Sequence, residues 1–149
     1  MKTMFNLIAP CLLMCITYFA KAQVNSSSRP DLFNSYSPNI PASVSELDKA
    51  FTFGKATSIQ LNFSDKLSFA GTVLSSVKRY DNLSSVIIKS TLLQNSILSI
   101  SKRINDDNTI TYVGRIINEK YADGYVLEQD KSGNYSFNKI RTSDLIQDY

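Results

Sequence analysis

From Asn95 to Arg141 the chain alternates apolar and polar residues in four short runs, separated by breaks rich in Asp, Asn and Gly. Successive side chains of a strand point to opposite faces, so a period of two marks strands with one buried face, and the breaks mark tight turns between antiparallel neighbours. At Asn105-Asp106-Asp107-Asn108, a loop over Asp106–Asn108 ends on Asn, which tolerates the left-handed backbone that closes such a turn. This register sets Ile104 opposite Ile110, Lys102 opposite Tyr112, Ile100 opposite Gly114 and Leu98 opposite Ile116. One face is then almost wholly apolar, while Ser99, Ser101, Arg103, Thr111 and Arg115 share a solvated one. The second break, Asp130-Lys131-Ser132-Gly133, offers Gly where the same turn needs positive φ. It pairs Leu127 with Phe137, Gln129 with Tyr135 and Tyr125 with Lys139.

Upstream, Ser58–Phe63 alternates Ile59, Leu61 and Phe63 on one side, and Leu67–Tyr80 carries Leu67, Phe69, Val73 and Val77 on one face. Ser84–Thr91, with its Val86-Ile87-Ile88 run, is a further strand. The chain therefore reads as mainly β, an antiparallel meander of about seven strands with short connections. Gly71 and Gly114 fall inside strands, on the apolar face, where glycine permits a bend or bulge. They predict a strongly curved sheet or a partly closed barrel. Ser43-Val44-Ser45-Glu46 matches a helix capping box, and Val44, Leu47 and Phe51 follow at helical spacing. A short N-terminal helix over Ser43–Phe51 is expected to plug an end or face of the sheet. Thr142–Ile146 changes to cap-like residues before two aliphatics, a short closing helical turn.

The first 22 residues have a different grammar. Lys2, the apolar run Phe5–Phe19 and the small-x-small sequence Ala20-Lys21-Ala22 form a signal peptide pattern with cleavage after Ala22. The run is short for a membrane span, so the expectation is export without an anchor: a secreted or periplasmic protein with no membrane span after cleavage. Residues 23–41 are rich in Ser, Asn and Pro and read as a disordered or extended arm, leaving 42–149 as a single β domain.

Cleavage changes the composition. Cys11 and Cys15 leave, so the exported domain is disulfide-free and held by its core alone. Lys2 and Lys21 leave too, so 16 basic residues become 14 against 13 acidic ones and the net charge falls from +3 to +1. That balance gives nucleic-acid binding no support.

The chain has no His, and after residue 22 no Cys. Thiol nucleophiles, the Ser-His-Asp arrangement and zinc sites built on imidazole or thiolate are thereby excluded from the exported part. Ser75/Lys78, Ser99/Lys102 and Ser136/Lys139 match S-x-x-K, but on strands positions i and i+3 face opposite ways. Asp81, Asp106, Asp107 and Asp130 suit turn chemistry and lack the spacing of a calcium loop. The expectation is a non-enzyme with no cofactor and no metal.

Two constellations remain. Lys78-Arg79 and Lys102-Arg103 end strands that run the same way, two positions apart in a meander, which sets both pairs on one rim roughly 10 Å apart, suited to an anionic partner. Tyr112, Tyr125, Tyr135 and Phe137 either line an apolar ligand face or simply form core. The function expected is a secreted, non-catalytic binding or interaction module of the cell envelope or exterior, its partner an unknown protein or glycan. The alternative is a carrier holding a small apolar ligand in a curled-sheet cavity. An interior filled by its own side chains favours the first; an open cavity favours the second.

Overall fold

The computed structural model describes residues 29–146, so the expected signal peptide lies outside the described residues. Among these, eight strands form one antiparallel sheet, curled into a nearly closed barrel. In chain order the elements are β1 Asn39–Ala42, α1 Val44–Lys49 with a single-turn extension Ala50–Thr52, β2 Ser58–Ser64, β3 Leu67–Tyr80 and β4 Leu83–Ser90. They continue with β5 Ile97–Ile104, β6 Ile110–Ile117, β7 Asp123–Gln129, β8 Tyr135–Arg141 and a closing turn Asp144–Ile146. β2 to β8 form the expected meander, and β1 returns to pair with β8, Ile40 opposite Phe137 and Ala42 opposite Tyr135.

Both hairpins have the registers that alternation predicts. Ile104 pairs with Ile110, Lys102 with Tyr112, Leu127 with Phe137 and Gln129 with Tyr135. The turn residues Asn108 and Gly133 adopt φ of 62° and 88°. Ile104 and Ile110 stand at the barrel's end and are partly exposed. The mid-strand glycines mark close approaches: a Cβ on Gly71 would lie 2.3 Å from the Lys89 carbonyl oxygen, and one on Gly114 2.7 Å from that of Ser99. Only glycine lets these strands coil so tightly.

An interior bounded by eight strands is just wide enough for side chains to fill. Here Ile59, Leu61, Phe69, Ile88, Leu98, Ile100, Ile116, Tyr125 and Phe137 fill it, and the Phe63 and Phe137 rings meet edge-on at 4.9 Å. Two plugs shut its ends. At the end where β1 leads into α1, Leu47 and Ala50 are buried. At the other, Phe33 is buried and packs its ring edge-on against Tyr125 at 5.1 Å.

The seam between β1 and β2 carries no ladder. Helix α1 covers the β2 edge there: the Glu46 carboxylate accepts the Asn62 N–H at 2.9 Å, and Lys49 Nζ donates to the Gln60 carbonyl at 3.0 Å. Unpaired edge groups invite another strand, and these side chains occupy them. Glu46 is thus spent on the seam. Only half of the expected capping box forms, Ser43 Oγ accepting the Glu46 N–H at 3.4 Å.

Two expectations are corrected. The described part of the expected arm is docked: β1 joins the sheet, Phe33 enters the core, and Leu32 and Tyr36 pack against it. Pro38 and Pro41 hide this strand in the sequence, because it needs partners only from β8. With β1 the expected meander of about seven strands numbers eight. Val77 does not share a face with Val73. Val73 pairs with Ile88 and Ser75 with Ile87, so Leu74 is an extra residue that reverses the alternation and turns Val77 outward.

Candidate functional site

The apolar-face candidates Tyr112, Tyr125, Tyr135 and Phe137 are all buried, and each is engaged by the protein itself. Tyr135 Oη accepts the Tyr112 N–H at 3.0 Å, the two rings pack edge-on, and the Tyr125 hydroxyl donates to the Ser37 carbonyl at 2.7 Å. Tyr112 is part of a polar knot under α1. Its hydroxyl and Lys102 Nζ both donate to Asp48 Oδ1 at 2.6 Å. Burial works to raise the Asp48 carboxyl, but the hydrogen bonds from Lys102 and Tyr112 and the Lys102 charge outweigh it and hold it below its usual value. Burial, then the Asp48 contact, pushes the Tyr112 phenol well above its usual value. The knot pins the helix plug.

A second knot holds the opposite plug. The buried Asp123 carboxylate accepts the N–H groups of Leu32 and Phe33 at 2.7 and 2.9 Å. Lys139 Nζ donates to the carbonyls of Phe33 and Tyr36 at 2.6 and 2.8 Å. The apolar-polar pattern gave Asp123 and Asp48 no role and Lys139 only a place opposite Tyr125 and in an S-x-x-K pair. The signal for two of them was present: Asp123 stands in phase with Tyr125 and Leu127, and Lys139 with Phe137.

The basic rim splits in two. Register sets Lys78 and Lys102 level, each opposite Ser84, but Lys102 is taken by Asp48 and Lys78 Nζ donates to Asp81 at 2.9 Å. The side chains of Arg79, a bulge residue, and Arg103 are exposed and make no hydrogen bond or ion pair among the described residues. All three S-x-x-K pairs divide between the two faces, Ser99 outward and Lys102 inward, for example. The turn carboxylates serve their turns. Asp107 accepts from Thr109 and Asp130 from Ser132 and Asn134, and those hydrogen bonds, the Thr109 hydroxyl foremost at Asp107 and the Asn134 N–H at Asp130, hold both below the usual range.

Arg103 leads to a feature that the sequence reading did not single out. On the outer face of the barrel a trough of about 610 Å³ is lined by Tyr80, Leu83, Ser101, Arg103, Thr111 and Val113, with Asn82 and Asn105 at its end. A shallower hollow of about 300 Å³, sharing Ser101 and Val113, carries it on to Ser99 and Arg115. Row by row, Tyr80 stands beside Leu83, Arg103 and Thr111, and Val77 beside Ser85, Ser101 and Val113. Tyr80 is 70% and Val113 64% exposed, which is high for residues of their size. The Val113 signal was legible as an apolar residue on the polar phase of its strand.

No protein-family model, no curated protein and no solved structure matches this chain.

Proposed function

We propose that the protein is an exported, non-catalytic interaction module that meets a protein or glycan of the cell exterior through the outer face and rim at the α1 end of the barrel. One observation carries this reading: the interior is filled and plugged, while Tyr80, Val113, Arg79 and Arg103 hold their side chains exposed. Exposed aromatic and arginine side chains are the residue types that anchor interfaces. The filled interior weighs against the carrier alternative. Export is proposed from the Met1–Ala22 pattern.

The test compares labelled mature protein with an Arg79→Glu/Arg103→Glu variant for binding to cells of its own source. Loss of binding at an unchanged melting temperature supports the reading. Undiminished binding by the variant contradicts it.

A further inference from the structure

We infer that the trough running from Tyr80 to Arg115 is a binding site for a carboxylate-bearing oligosaccharide. This rests on the outer-face reading above and names its ligand class. The first argument is charge. The lining holds Arg103 and Arg115 and no carboxylate, and neither arginine has an ion pair among the described residues. Nearby Asp81 is already held by Lys78. Guanidinium groups in that state are matched to planar carboxylates, which they bind through two parallel hydrogen bonds.

The second argument is the surface between them. Ser99, Ser101 and Thr111 set hydroxyls along the lining, and the Oγ of neighbouring Ser85 lies 2.9 Å from that of Ser101. Hydroxyls both donate and accept, as sugar hydroxyls do. The Tyr80 ring beside Leu83 supplies an apolar platform for a sugar face. The third argument is shape. Thr111, beside Arg103, and Arg115 are four residues apart on β6, so the two guanidinium-bearing positions are separated by about 13 Å. That suits a short stretch of polymer better than a single sugar. A protein partner would want a continuous apolar centre, and here serines separate the apolar side chains.

The experiment titrates the mature protein by calorimetry with a polyuronic acid, with the same polymer after carboxyl reduction, and with polyglutamate. Polyuronate binding is expected, weakened about tenfold or more in Arg103→Gln/Arg115→Gln and about threefold or more in Tyr80→Ala, each with an unchanged melting temperature. The reduced polymer is expected not to bind. No polyuronate binding, or binding indifferent to these substitutions, overturns the inference. Equal binding of polyglutamate that ignores Tyr80→Ala also overturns it, in favour of an acidic protein surface. If cells are still bound through Arg103 while polyuronate is not, the ligand class fails and the outer-face reading stands. If cell binding survives Arg79→Glu/Arg103→Glu, the outer-face reading fails itself.

Discussion

β5 and β6 carry two faces built to different rules. Inward, Leu98, Ile100, Tyr112 and Ile116 are buried, and even the charged Lys102 ends on a partner, Asp48. Outward, Ser99, Ser101, Val113 and Arg115 alternate with them on the same strands, and the arginine and valine have no structural partner among the described residues. The same backbone thus serves stability on one side and leaves chemistry unspent on the other. Where a barrel is full, residues that contribute nothing to its packing are the ones available for binding.

Substitutions on the two faces should therefore behave differently. The largest effect belongs inside: Phe137→Ala removes a ring packed on Phe63 and should cost about 3–5 kcal/mol in denaturant unfolding. A cost below about 1 kcal/mol would show an interior with room to spare and erase the contrast. Asp123→Asn should cost less, about 1.5–3 kcal/mol, because the buried carboxylate accepts two N–H groups from the plug. Protease sensitivity rising first near Leu32 and Phe33 would confirm that this plug is what the substitution loosens.

Titration sharpens the contrast more gently. Burial, with Asp123 nearby, pushes the Tyr125 phenol up to about 12, so its contribution to stability is complete below pH 10 and is lost as pH rises towards 12. Ultraviolet titration should show Tyr125 ionising together with unfolding. Asp48 has the opposite sign. Its folded value is depressed, so its contribution is present above the ordinary carboxylate range and fades as pH falls through the folded value. Asp48→Asn should flatten the acid limb of the stability profile by less than about 1 kcal/mol, since the pair is partly exposed. Smallest of all, Arg115→Gln should leave stability within about 0.5 kcal/mol of the parent.

Much of the fold was legible in alternation alone. The two hairpin registers, the turn residues Asn108 and Gly133, the coiling glycines and the plugging helix all follow from local patterns. What escaped depends on non-local partners. β1 is four residues with a proline, and it exists because β8 offers an edge. The bulge at Leu74 follows no turn residue, so the phase of β3 changes without a local sign. The rim was half legible. Adjacency of Lys78 and Lys102 comes from topology, but their capture by Asp81 and Asp48 comes from three-dimensional packing. A rule emerges from Lys102, Asp123 and Lys139. A charged residue in phase with a strand's apolar face marks a polar hook at the end of the interior, and an apolar residue out of phase, such as Val113, marks a surface to be covered.

The central claim is that the inside is closed and the outside does the binding. Native mass spectrometry of the protein, purified gently from the cells that make it, tests it most directly. The account predicts the bare polypeptide mass, with no small molecule retained. A discrete adduct of a few hundred daltons, lost on denaturation and weakened by Phe137→Leu but not by Arg103→Gln, would contradict it and return the function to the interior.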